Sequence, residues 1–207
     1  MRENKKILLI LLLSIFCSAC LVGCAKREIK NIEAKGSNII CFGDSITFGY
    51  GANAGEDFPT QLGKLMNITV INAGISGDTS TEALARLDQG VLEKNPRLVL
   101  IEFGGNDFIK NVPMQETIKN TEEMIDKIQA RGAMVAVVDI SAGMFMRAYR
   151  GVFAKIAVKK NAIFIPSLLD KIITNPSMKS DFLHPNATGY KEIASRIKSK
   201  ISVYLQK

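Results

Sequence analysis

Asn38-Ile39-Ile40-Cys41-Phe42-Gly43-Asp44-Ser45-Ile46-Thr47-Phe48-Gly49-Tyr50-Gly51 is the stretch from which the fold can be read. Ile39 to Phe42 form a four-residue apolar run, the length and character of a strand covered on both faces. The run stops at Gly43-Asp44-Ser45. Glycine lets the backbone turn sharply there, and a serine at the C-terminal end of a buried first strand lies where open α/β sheets hold their ligands. Gly, Asp and Ser are also ordinary turn residues. The triplet therefore matters only if the rest of the chain supplies a base, an orienting acid and an oxyanion site.

Four more apolar runs follow: Thr69–Asn72, Leu98–Phe103, Met134–Ile140 and Ala162–Ile165. Between them lie helical patterns. A short helix is expected over Phe58–Met66 with Pro59 in its first turn. Thr79 and Glu82 stand at capping-box spacing before Leu84, Leu87 and Val91. A longer helix covers about Met114 to Ala130, with Ile118, Ile125 and Ile128 on one face and Gly132 as its C-cap. Another spans Phe145–Lys159. The last begins near Asn186 and carries Tyr190, Ile193, Ala194, Ile197, Ile201 and Tyr204. Strands alternating with helices, without hairpin signals or repeats, predict an α/β fold: a three-layer α/β/α sandwich around a five-stranded parallel sheet. The expected strand order is the flavodoxin-like 2-1-3-4-5. In that order three glycine-bearing turns share one edge: Gly43-Asp44-Ser45, Ser76-Gly77-Asp78 and Gly104-Gly105-Asn106-Asp107.

The beginning of the chain is not expected to belong to this fold. Arg2, Lys5 and Lys6 precede the apolar run Ile7–Leu13, which is too short for a bilayer span and fits the core of a secretory signal. Leu21-Val22-Gly23-Cys24 resembles a bacterial lipobox, with Cys24 as the lipidated mature N-terminus; an ordinary cleaved signal and an uncleaved anchor are the alternatives. Residues 1–23 are thus read as signal, 24–37 as lipidated N-terminus and polar tether, and 38–207 as the domain. The chain has 207 residues with 27 basic and 20 acidic side chains. Removing the first 23, which carry Arg2, Lys5, Lys6 and Glu3, leaves 184 residues and a net charge of +5. That length supports one sizeable core. The basic excess is thin, with a mild cluster at Lys191, Arg196, Lys198 and Lys200, and no aromatic-and-basic pattern points to nucleic acid. Of four cysteines, Cys41 alone would remain unlipidated, so no intramolecular disulfide is expected and Cys41 acts as a small buried hydrophobe. One histidine and one such cysteine make no metal cluster, and no cofactor motif is visible.

The single histidine, His184, follows Asp181 by three residues in Asp181-Phe182-Leu183-His184-Pro185. Asp181 can reach Nδ1 of the imidazole and set its tautomer, leaving Nε2 to take a proton from a hydroxyl. If Ser45 is a nucleophile, His184 is the imidazole available as its base. Backbone N–H groups of Ser45 and Gly77 and the side-chain amide of Asn106 could receive the charge that develops on an attacked carbonyl oxygen.

These blocks, F-G-D-S-I-T-F-G, N-A-G-I-S-G-D-T-S, G-G-N-D and D-F-L-H-P, together resemble those of the SGNH (GDSL-type) hydrolases. The wording I-S-G-D-T-S is similar to that of the bacterial thioesterase I, lysophospholipase L1 and arylesterase group. The resemblance implies a serine esterase acting on carboxylic esters or thioesters. It implies Ser45, Asp181 and His184 as catalytic residues, an oxyanion hole of Ser45, Gly77 and Asn106, and no cofactor. Implied partners are a small-molecule or lipid ester and, through Cys24, the outer side of a bacterial membrane. Phe108 and Ile109, Met144 to Met146, and Phe182 and Leu183 are expected as an apolar rim for an acyl chain. Within the family an O-acetylesterase of cell-wall or surface polysaccharide stays open; outside it, a lipid-anchored binding protein without turnover. A flavodoxin-like cofactor domain is weaker, because the loop from Gly43 offers few phosphate-binding turn residues.

Overall fold

A computed structural model describes residues 28–142 and 146–205. The expected sheet is there. Strands β1 (Asn38–Gly43), β2 (Val70–Gly74), β3 (Pro96–Glu102), β4 (Met134–Val138) and β5 (Ile163–Ile165) are parallel and lie in the order β2-β1-β3-β4-β5. The three inner strands are apolar because helices cover both faces: Ile40, Cys41 and Phe42, Leu98 to Ile101, and Met134 to Val138 are all buried. β2, at an edge, is only half-buried.

The helices are α1 (Ser45–Phe48), α2 (Phe58–Met66), α3 (Ser80–Ala85), α4 (Leu87–Gly90), α5 (Gly105–Ile109), α6 (Met114–Ala130), α7 (Arg147–Lys159) and α8 (Ala187–Leu205). Right-handed crossovers send the β1-to-β2 connection to one face and the later connections to the other. Accordingly α2 packs on α8, while α3 packs on α6 and α6 on α7. α2 and α6 keep their expected bounds, and α8 starts one residue past Asn186. α7 begins at Arg147; the expected start at Phe145 lies outside the described residues.

Two expectations are corrected. The helix after Gly77 has its capping box, with Thr79 N–H donating to Glu82 Oε2 at 2.8 Å. Yet it ends after Ala85 and resumes as α4, because Arg86 leaves the helical path to bond the ends of β1 and β2. The polar stretch before Asn38, where described, is not a loose tether. Ile29 is buried, Lys30 N–H donates to Asn161 O (2.9 Å), and Asn31 Nδ2 donates to Gln129 O (2.8 Å) and Ala133 O (2.9 Å). Ser37 N–H then bonds Asn95 O, and Asn38 Nδ2 bonds Lys94 O. Residues 29–37 therefore run beneath the N-terminal ends of β5, β4 and β3 before entering β1. A few anchoring contacts suffice for such a strap, so it needs no periodic pattern.

Candidate active site

β1 ends at Gly43, and the chain turns through Asp44 into α1. Asp44 caps that helix, its Oδ1 accepting from Ile46 N–H at 3.0 Å. The turn leaves Ser45 half-buried at the C-terminal edge of the sheet. Ser45 Oγ lies 3.0 Å from His184 Nε2, across 139 residues of sequence.

The loop carrying His184 is built by its own polar groups. Asp181 Oδ1 accepts from the backbone N–H of Leu183 (2.8 Å) and of His184 (2.9 Å), and His184 Nδ1 stands 2.8 Å from Asp181 Oδ2. With the ring proton on Nδ1 donated to Asp181, Nε2 is the acceptor facing Ser45. Ser180 N–H donates to His184 O, and Lys179 and Pro185 form an antiparallel bridge that closes the loop. From the other side, Tyr190 Oη donates to Tyr50 O at 2.8 Å, and the Tyr50 ring sits 4.6 Å from the imidazole. Gly51, at φ +88°, lets the backbone pass where a Cβ would lie 2.0 Å from Ser180 Oγ.

Asn106 is the second residue of α5, which Gly104 caps and Gly105 opens. Its Nδ2 donates to Asp44 Oδ2 (3.1 Å) and to Asp78 O (3.0 Å), which ties the third turn to the first and second. Gly77 sits at φ +90° in the exposed turn one residue before Asp78, a conformation that favours glycine. Lys110 Nζ donates to Gly77 O at 2.8 Å. All five residues singled out in the sequence thus meet at one edge: Ser45, His184 and Asp181 in a hydrogen-bonded row, with Asn106 and the Gly77 turn beside it.

A family model for GDSL-like lipases and acylhydrolases matches residues 41–192. The chain belongs to this family. An arylesterase of Vibrio mimicus is 29% identical over 208 residues, covering 95% of this chain and 100% of its own. The thioesterase 1/protease 1/lysophospholipase L1 of Escherichia coli is 29% identical over 161 residues, covering 74% and 77%. Among solved structures, the psychrotrophic esterase EstA from Pseudoalteromonas superposes with a TM-score of 0.75 at 28% identity, over 83% of this chain and 100% of that one. The ester-hydrolase class expected from the four blocks is met at the level of the family, and so is the fold.

The hydrolase site rests on polar groups that sequence reading missed. Arg86 holds three of its elements: Nε donates to Asp78 Oδ2 (2.6 Å), Nη1 to Ala73 O (2.9 Å) and Nη2 to Gly43 O (3.1 Å), with the guanidinium 4.5 Å from the Phe42 ring centre. Asp107, fully buried, accepts from Ser80 N–H and Oγ–H and from Thr117 Oγ–H, fixing α5 to α3 and α6. Glu102 ends β3 beneath the serine turn; Asp44 N–H (3.3 Å) and Thr47 Oγ–H (2.8 Å) donate to its Oε2. An acid ending an otherwise apolar run, Leu98 to Glu102, is the one signal that could have found it.

Burial pushes the Glu102 carboxyl well above the ordinary range, and the neighbouring Asp44 charge pushes it further. Asp44 is pushed up to about 6, by burial against the N–H bond from Ile46. Both carboxyls of the pair are thus pushed in the same direction, toward holding a proton. Asp181 differs: slight burial raises it, but bonds from the His184 ring and from the Leu183 and His184 N–H groups outweigh this and hold it below its usual value. Asp181 stays ionised wherever His184 must be oriented. Burial also raises the Cys41 thiol, which fits an inert packing residue.

A cavity of about 110 Å³ opens at Ser45, lined by Asn106, Ile109, Ile140, Leu169, Leu183 and His184. A larger hollow of about 490 Å³ lies under the opposite edge beside the docked strap, and its lining holds no serine, cysteine or histidine. Of the expected apolar rim, Ile109 and Leu183 line the cavity, while Phe108 and Phe182 are exposed next to it. Met146 is a correction: it is buried, within reach of Gly104 and Phe153 rather than at the rim. Met144 and Phe145 lie outside the described residues.

Proposed function

We propose that the protein is a serine esterase of short acyl esters that works through an acyl-enzyme on Ser45. The single observation carrying this is the continuous contact from Ser45 Oγ to His184 Nε2 (3.0 Å) and from His184 Nδ1 to Asp181 (2.8 Å). Ser45 attacks the ester carbonyl as His184 takes its proton. The oxyanion is held by the N–H groups of Ser45 and Gly77 and by the Asn106 amide, which exchanges its bond to Asp44 or Asp78 O for one to the substrate. His184 protonates the leaving alcohol, and a water then repeats the steps to release the acid. A purely binding role has no use for an imidazole so placed.

The short-acyl preference follows from the cavity. About 110 Å³ is small beside the roughly 300–1,000 Å³ of sites for drug-sized ligands, and the buried side chains of Ile140 and Leu169 are part of its lining. Acetyl to butyryl groups fit inside, whereas longer chains must run out past Ile109 and Leu183. This favours O-acyl groups on polysaccharides or small alcohols over long-chain lipids. We also place Met1–Gly23 as an export signal and Cys24 as a lipid-bearing residue that keeps the enzyme at the outer side of a bacterial membrane.

A fluorophosphonate probe should label the wild type and fail on Ser45→Ala. Across p-nitrophenyl esters from acetate to laurate, kcat/KM should be highest at two to four carbons. Equal labelling of both forms removes Ser45 as nucleophile, and a maximum at laurate removes the short-acyl reading.

A further inference from the structure

We propose that the catalytic crevice faces away from the bilayer that anchors the chain, so that its substrates are ester groups presented from water and not the acyl lipids of its own leaflet. This rests on the reading in which Ser45 turns over esters and Cys24 carries lipid.

The geometry is that of two opposite edges of one sheet. Ile29 and Asn31 are fixed where β4 and β5 begin, through Asn161, Gln129 and Ala133. Ser37 and Asn38 are fixed where β3 begins, through Asn95 and Lys94. Ser45, Asn106 and His184 lie beyond the ends of β1 and β3. The six residues of β1 alone separate the edges by about 20 Å, at roughly 3.3 Å per residue.

The leash is short by comparison. From Cys24 to Glu28 there are four Cα–Cα steps, at most about 15 Å fully stretched. To press the crevice onto the bilayer, the domain would have to turn over. The chain would then have to climb past the whole sheet edge and around a helix layer about 10 Å thick. With residues 29–37 docked, four steps do not reach. An acyl chain within the same leaflet thus stays out of range of Ser45 Oγ, while soluble esters and ester groups on hydrated polymers have free access. The strap sets this polarity: it joins the leash to the wrong edge for lipid hydrolysis and the right one for outward-facing work.

The test uses the full-length lipidated chain in phosphatidylcholine vesicles with acceptor-dye lipids. A donor dye is placed at Lys94→Cys in one variant and at Phe182→Cys in another; Cys41 is buried and does not compete. Energy transfer to the bilayer should be retained at position 94 and lost at position 182. The reverse order overturns the proposal. In a companion form, a Gly/Ser insert of about 30 residues between Arg27 and Glu28 adds roughly 30 Å of reach. On a fluorogenic phosphatidylcholine in the same vesicles, the insert should raise the rate about ten-fold or more, because a leash that cannot span gives almost no effective concentration. Equal measurable rates with and without it also overturn the proposal. Where neither form cleaves the lipid, the dye order decides. A chain that stays in the aqueous phase removes the anchor reading and this proposal with it, yet leaves fluorophosphonate labelling of Ser45 intact; loss of that labelling on a vesicle-bound chain removes the esterase reading instead.

Discussion

Replacing Arg86 by lysine probes how the three turns are kept in register. The guanidinium fork bonds Asp78, Ala73 O and Gly43 O at once and lies over Phe42. Gly43 is two residues before Ser45, and Asp78 follows Gly77 and supplies the carbonyl that Asn106 bonds. A lysine keeps the charge but has a single nitrogen, so it can hold Asp78 and must release at least one carbonyl. Two charge-assisted bonds at about 1.5–3 kcal/mol each are at stake. The site is partly open, with Arg86 and Asp78 side chains 20% and 12% exposed, so water recovers part of this and the net loss is about 2–4 kcal/mol. For a chain of this size that lowers Tm by about 5–15 °C. The kinetic effect is separate. A shift of about 1 Å between the Gly77 turn and Ser45 costs up to about 10²-fold in rate, and it falls on transition-state donors, so kcat should drop about 10- to 100-fold with KM nearly unchanged. The assay is p-nitrophenyl butyrate hydrolysis, well below the variant's melting point and with its fold checked by circular dichroism. A folded Arg86→Lys enzyme with wild-type kcat refutes the idea that this fork sets the oxyanion geometry.

The other substitutions follow from single contacts. Asn106→Ala should lower kcat by about 10²–10³ and also destabilise the chain, because buried Asp44 Oδ2 loses the donor seen here; unchanged turnover would take Asn106 out of the site. Asp181→Asn preserves acceptors for the Leu183 and His184 N–H groups but favours the wrong imidazole tautomer, so kcat should fall by up to about 10⁴ with little change in Tm; full activity would mean Asp181 does not orient His184. Glu102→Gln tests the buried carboxyl pair. Both acids have folded values above their unfolded ones, about 6 for Asp44 and well above the ordinary carboxyl range for Glu102, because both are buried beside each other. Between about pH 4 and those values the folded chain therefore holds protons the unfolded chain has released, and stability falls as pH rises, by up to about 1.4 kcal/mol per unit for each proton. Thermal melts from pH 5 to 8 should show Tm declining with pH in the wild type and a flatter line in Glu102→Gln. A wild-type Tm that climbs over that range would mean the two buried carboxyls are not raised as argued.

The parts legible in the sequence were those governed by repetition or by local turn chemistry. Inner strands read as apolar runs because they are covered twice, and parallel crossovers left one economical strand order. That order placed the turns after β1, β2 and β3 on one edge, which brings Ser45 to a histidine 139 residues away. What stayed hidden depends on single long-range contacts. The period Leu84, Leu87, Val91 continues unbroken through Arg86, and nothing local shows that its side chain is drawn to carbonyls 13 and 43 residues back. Glu102 looks like the polar end of a strand until Thr47 and the Asp44 N–H are seen to donate to it. The strap at 29–37 reads as tether because its two anchored side chains, Ile29 and Asn31, need no periodicity. The division has a chemical logic. Residues that would touch substrate must be particular types at exposed turns, and that constraint is visible in one dimension. Residues that position them act through the folded distance alone, so Arg86 and Glu102 become recognisable only when the three sheet-edge turns are already in contact.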